Sequence, residues 1–128
     1  MPTKGTQEAG AFDIYMPEEG TADGNTRLTP LGFAAAVPTG HVALLLPRSG
    51  AGAEYGLELN NTCGVIDADY RGEWMASLRT KSGRYFAWAK GERVIQFLIV
   101  PIANVSLEQV DELGVTARGA GGFGSSGK

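Results

Sequence analysis

The sequence holds a single cysteine, Cys63, and a single histidine, His41. One cysteine excludes an intrachain disulfide and any cysteine-rich zinc site, and a reducing cytoplasm is the simplest home. Long hydrophobic runs are also missing. Stretches such as Val42–Leu46 and Phe97–Val100 are far too short to cross a bilayer as helices. The polar start, Pro2-Thr-Lys-Gly-Thr-Gln-Glu8, lacks the apolar stretch of a signal peptide. A net charge of only −3 gives no general pull toward nucleic acid, so any phosphate site must be built locally.

Glycine, by contrast, is abundant at 19 of 128 residues, which points to many turns and few long helices. The length suits one compact domain with a real core, and no internal repeat or second domain is visible. Short apolar runs separated by turn signals predict an all-β domain. Strands are expected over Phe12–Met16, Gly32–Val37, His41–Leu46, Gly56–Asn60, Trp74–Arg79 and Arg93–Ile102. Turn residues fall between them, as in Pro17-Glu-Glu-Gly20, Asp23-Gly-Asn25, Pro38-Thr-Gly40 and Lys81-Ser-Gly83. The run Val94–Val100 is apolar on both alternating faces except at Gln96, which predicts a strand inside the domain or at a subunit interface. Ser106–Leu113 has weak helical spacing and suits a strand equally well.

Three segments carry chemistry. The last, Arg118-Gly-Ala-Gly-Gly-Phe-Gly-Ser-Ser-Gly-Lys128, denies itself regular structure through its glycines yet holds an arginine, an aromatic ring and two hydroxyls. Backbone N–H groups, Arg118, Ser125 and Ser126 suit a polyphosphate, and Phe123 offers a face for a base. By composition alone a disordered terminus fits equally well. The second segment, Gly64-Val-Ile-Asp-Ala-Asp-Tyr-Arg-Gly-Glu73, sets three carboxylates beside a tyrosine and an arginine. Hairpin alternation puts Asp67 and Asp69 on one face, where an aspartate beside a phosphoanhydride can deprotonate water. Taken alone, the string also suits a charged hairpin facing solvent. The third segment, Pro47-Arg-Ser-Gly50, follows an apolar strand and resembles an anion-binding corner, though taken alone a plain loop is the commoner case.

These segments, with Gly91-Glu-Arg-Val-Ile-Gln96 and Ala9-Gly-Ala-Phe-Asp-Ile-Tyr15, occur in the order and spacing of the trimeric dUTPases. The resemblance covers nearly the whole chain. It implies a jelly-roll-like β-fold over residues 1–117, a flexible lid over residues 118–128, and a homotrimer with shared sites. It also implies hydrolysis of dUTP to dUMP and pyrophosphate by water attack on the α-phosphorus, with Mg2+ chelated by the triphosphate. Such a reaction limits uracil incorporation into DNA and supplies dUMP for thymidylate synthesis.

By the same resemblance, Asp67 matches the residue that holds and activates the water, and Asp13 the acid that reaches the metal through water. Arg48, Ser49 and Gly50 match the second-motif phosphate ligands, Gln96 the phosphate-contacting amide, and Arg118 the arginine on the γ-phosphate. Ser125 and Ser126 complete that grip. Asn61, Gly64 and Ile66 belong to the uracil-reading hairpin, Tyr70 matches the ring under the deoxyribose, and Phe123 lies over the uracil. In the implied trimer, the first, second and fourth motifs, the third motif, and the fifth come from different subunits. No direct nucleic-acid or membrane partner is implied.

The sequence departs from the family pattern in places. The strand before the first motif is short or absent, Gly10-Ala11 precedes Phe12 where the reverse order is usual, and Glu54 replaces a frequent basic residue. Two alternatives accompany this expectation: a dCTP deaminase of the same fold, and a dUTP-binding regulatory protein. The Asp67-Ala-Asp-Tyr70 string and the tail both favour the hydrolase. Cys63, His41, Trp74 and Trp88 read as packing or structural residues.

Overall fold

The computed structural model describes residues 1–127. Lys128, the final residue of the expected lid, lies outside the described residues. The strands are β1 (Thr3–Lys4), β2 (Phe12–Tyr15), β3 (Gly20–Ala22), β4 (Arg27–Pro30) and β5 (His41–Pro47). After the short helix α1 (Ser49–Tyr55) come β6 (Leu57–Leu59), β7 (Gly64–Ile66), β8 (Met75–Thr80), β9 (Phe86–Trp88) and β10 (Arg93–Pro101). The expected all-β, jelly-roll-like arrangement is the one found. Five strands form one sheet in the order β1-β2-β10-β5-β7, three form another as β4-β8-β6, and β3 pairs with β9.

The apolar run Val94–Val100 lies in β10, between β2 and β5 at the centre of the large sheet. Its register shifts between Arg93 and Ile95 where it meets β2, and consecutive Val94 and Ile95 are both buried there. A bulge of this kind breaks strict alternation and explains two successive core residues. Ile95 and Phe97 pack with Leu45, Ile14, Leu59, Leu78 and Trp74 in the core. The Trp74 ring meets Phe97 edge-on at 5.0 Å and Phe33 at 5.0 Å. Each such fully buried large apolar side chain stabilises the fold by about 1.5–3 kcal/mol.

Several expectations change. Gly32–Val37 is not a strand, although Phe33, Ala35 and Val37 do alternate inward. Its backbone–backbone links to the segment around Trp74 are Leu31 N–H to the Trp74 carbonyl and Trp74 N–H to the Phe33 carbonyl, both 2.9 Å, and no ladder continues beyond them. Alternation there reports the side that meets the core, not a paired strand. No helix was expected, yet Ser49–Tyr55, beginning with the last two residues of the Pro47–Gly50 corner, form α1. Ser106–Leu113 is neither helix nor strand and is exposed throughout. The strand before the first motif, expected to be short or absent, is indeed short: β1 has two residues and pairs with β2.

Candidate active site

Asp13, Arg48 and Gln96 come together on the outer face of the large sheet. On β2, Phe12 and Ile14 turn toward the core, so Asp13 between them points the other way. It pairs in register with Gln96 on β10, which in turn sits opposite Leu46 on β5. The Asp13 carboxylate is clamped from both sides: Arg48 Nε is 3.0 Å from one oxygen and Arg93 Nη1 3.2 Å from the other. Arg48 Nη1 also donates to the Arg93 carbonyl at 3.1 Å. The Gln96 amide donates to the Pro47 carbonyl at 3.0 Å, which ties it to the start of the Arg48 segment. Two guanidinium groups against one carboxylate leave the cluster net positive, which suits an anion. Ser49 and Gly50 follow directly, exposed at the beginning of α1.

A second group gathers around β7. The residues before it do not form a two-stranded hairpin with it, because β6 pairs with β8 in the smaller sheet while β7 pairs with β5. The chain crosses between sheets at residues 60–63, with Thr62 in the left-handed region at φ 69 and the Asn61 amide donating to the Cys63 carbonyl at 3.2 Å. Gly64 permits the crossing, since a Cβ there would lie 2.9 Å from Cβ of Leu45. Ile66 pairs with Ala43, and β7 ends there. Strand alternation therefore does not govern Asp67 and Asp69. They lie in a turn in which Tyr70 N–H donates to the Asp67 carbonyl at 3.2 Å. Arg71 Nη1 donates to the carbonyls of Ala68 and Tyr70, which braces the same turn. Asp67, Asp69 and Arg71 line an open groove of about 430 Å³ together with His41 and Ile102.

The tail joins neither group. Residues 102–127 belong to no strand or helix, and nearly all of them are exposed. Arg118 Nε donates to the Gly121 carbonyl at 2.8 Å, Ser125 N–H donates to the Gly122 carbonyl, and Phe123 is fully exposed. Ser126 is likewise exposed. The chain thus brings Asp13, Arg48 and Gln96 together, whereas Asn61, Gly64, Ile66, Asp67 and Tyr70 follow one another along the segment through β7, with Tyr70 N–H on the Asp67 carbonyl.

Arg93 was not singled out from sequence, although it lies inside Gly91–Gln96. Its signal was a second basic residue three positions before a glutamine on a strand otherwise apolar.

The sequence model of the dUTPase family matches residues 1–127. Deoxyuridine 5'-triphosphate nucleotidohydrolase of Bordetella avium is 45% identical over 132 residues, covering all of this chain and 89% of that protein. The enzyme of the same name from Hahella chejuensis is 46% identical, covering 99% of this chain and 86% of its own. Among solved structures, the dUTPase of Staphylococcus bacteriophage 80alpha with dUPNHPP has a TM-score of 0.88 at 28% identity, covering 100% of this chain and 92% of that one. The Streptococcus mutans dUTPase has a TM-score of 0.74 at 29% identity, covering 83% of this chain and 88% of its own. With motif order, fold and whole-length similarity in agreement, this chain belongs to the dUTPase family.

Proposed function

We propose that this chain hydrolyses dUTP to dUMP and pyrophosphate at sites shared between the subunits of a homotrimer, with Asp67 as the general base. The observation that carries the shared site is a separation along β5. Asp67 follows Ile66, which is level with Ala43, whereas Gln96 is level with Leu46. At about 3.3 Å per residue, the Asp67 backbone stands about 13 Å along the strand from the level of Gln96, to which the Arg48 side chain also reaches back through Asp13. That separation exceeds the reach of a carboxylate and one water, which supports drawing the phosphate grip and the base from different chains. Between them the same face carries half-buried Val42, Leu44, Leu98 and Val100 and exposed Val65, an apolar surface suited to a second copy. Exposed Leu107, Leu113 and Val115 make the segment before the lid equally suited to lying on a neighbour.

In this reading Arg48, Ser49, Gly50 and Gln96 grip the phosphates from one subunit. Asp67 of another takes a proton from water as the water oxygen bonds to the α-phosphorus and pyrophosphate leaves. Asn61, Gly64 and Ile66 read the uracil edge, and Tyr70 underlies the deoxyribose. The lid, residues 118–128, supplies Arg118 to the γ-phosphate, Phe123 to the face of the base, and Ser125 and Ser126 to phosphate oxygens. Stacking by Phe123 is worth about 1–3 kcal/mol.

Among the described residues no group of three or more His, Cys, Asp or Glu side chains could hold a metal ion. Each Asp13 oxygen already holds a guanidinium and keeps a lone pair for a water. That donor set fits a magnesium ion carried in by the triphosphate and met by Asp13 through its hydration shell. When bound, the ion neutralises charge on the phosphate oxygens. No helix among the described residues is long and apolar enough to cross a membrane, and a cytoplasmic location is part of this proposal.

The relatives' names favour the hydrolase over the deaminase. Pyrophosphate release from dUTP, dCTP, dTTP and UTP, with and without magnesium, tests the reading. Release from dUTP with magnesium is expected, and its absence overturns the proposal.

A further inference from the structure

The Tyr70 side chain is held from two sides by neighbours without a role above. Its hydroxyl donates to the Glu73 carbonyl at 2.9 Å, which folds the side chain back over its own loop. Its ring lies so close to Gly72 that a Cβ there would stand 2.7 Å from Cζ and 3.1 Å from Cε2, and would also strike the hydroxyl. Cβ atoms essentially never approach a neighbour within 3.0 Å, so any side chain at position 72 must displace the ring.

Glu73 is anchored in its turn. Its Oε1 accepts the Gly32 N–H at 3.0 Å. The next residue, Trp74, is 1% exposed and bonded through its backbone to both Leu31 and Phe33. The acceptor for the Tyr70 hydroxyl is therefore tied to the core. Tyr70 itself is 41% exposed, so burial does not fix its ring. These contacts do.

We propose that Gly72 and Glu73 are positioning residues that set the Tyr70 ring and thereby decide how strongly dUTP is preferred over UTP. The inference rests on the reading of Tyr70 as the surface beneath the deoxyribose. A surface that rejects one extra hydroxyl must be fixed within about half an ångström, because a ring free to tilt yields to the added oxygen.

The test compares kcat/KM for dUTP and UTP across Tyr70→Phe, Gly72→Ala, Glu73→Ala and Glu73→Gln. Tyr70→Phe and Gly72→Ala are expected to lower the dUTP:UTP ratio about tenfold, and Glu73→Ala about fivefold. Glu73→Gln, whose amide oxygen still accepts the Gly32 N–H, is expected to keep the ratio. Tyr70→Phe combined with Glu73→Ala should lose no more than Tyr70→Phe alone, because Glu73 acts through the hydroxyl. An equal fall for both nucleotides in Gly72→Ala and Glu73→Ala, at constant ratio, would make these residues purely structural and overturn the proposal. A wild-type enzyme that accepts UTP as readily as dUTP would instead overturn the reading of Tyr70, and this inference with it.

Discussion

Gln96 and Asp67 flank the same strand at different levels, Gln96 opposite Leu46 and Asp67 one residue past the Ile66–Ala43 pair. If each site draws the two groups from different chains, variants lacking one or the other should repair each other. Asp67→Asn and Gln96→Ala are each expected to be nearly inactive. Unfolded together in equal amounts and refolded, they should regain activity, with about one site in four carrying both intact groups. Activity in the mixture no higher than in either parent would place both groups in one chain's site.

Asp67→Asn keeps the size and shape of the side chain and removes only its basicity. Turnover of dUTP should fall roughly 10²–10⁴-fold, while affinity for a non-hydrolysable dUTP analogue changes by less than about threefold. Calorimetric binding beside single-turnover kinetics separates the two quantities. Matched losses in both would mean that Asp67 organises its turn and is not the base.

Hydrogen bonds recorded after Ala117 join only residues 116–127 to one another. Ending the chain at Ala117 should therefore leave the β-fold and the assembly intact, with Tm within about 2 °C of the full chain. Activity should drop steeply because Arg118, Phe123 and the serines are gone. Light scattering and thermal melts check the first part. A monomeric or unfolded product would refute the lid as a separate segment.

The Asp23 carboxylate accepts the Asn25 N–H at 2.8 Å and pairs with Arg27 at 2.9 Å. The Asn25 N–H, the largest effect, holds its pKa below the ordinary 3.8; desolvation opposes it, and the Arg27 charge adds a smaller lowering. Protonation is thus harder in the folded state. The stability this adds is complete above the ordinary value and is lost as pH falls through the lowered one. Asp23→Asn should lower Tm slightly at neutral pH, and the gap should close on acidification below that lowered value. A gap that widens in acid would contradict the sign.

The strands richest in apolar residues, β5 and β10, were legible because little else can be done with Val42–Leu46 and Val94–Val100 except bury them. Asp13, Arg48 and Gln96 were legible as motif members, and the fold brings them together. Alternation at Phe33, Ala35 and Val37 was also real, yet it could not disclose that no strand pairs with that segment. A ladder partner is a long-range choice that side-chain periodicity does not record. Helix α1 escaped notice because Gly50 and Gly52 weaken any helical signal. The bend that removes Asp67 and Asp69 from strand geometry depends on Arg71 binding two carbonyls, which spacing alone does not encode.

The large sheet tapers from the nine residues of β10 at its centre to the two of β1 and the three of β7 at its borders. Borders so short offer few open backbone donors and acceptors on which another molecule could add a strand. Copies of this chain are therefore steered away from edge-to-edge stacking, which has no natural stopping point and ends in fibres or aggregates. Any association is then left to side-chain faces, whose shape limits the number of copies that fit. The half-buried apolar face around Leu44 and Leu98 can consequently stay sticky without making the protein prone to open-ended polymerisation.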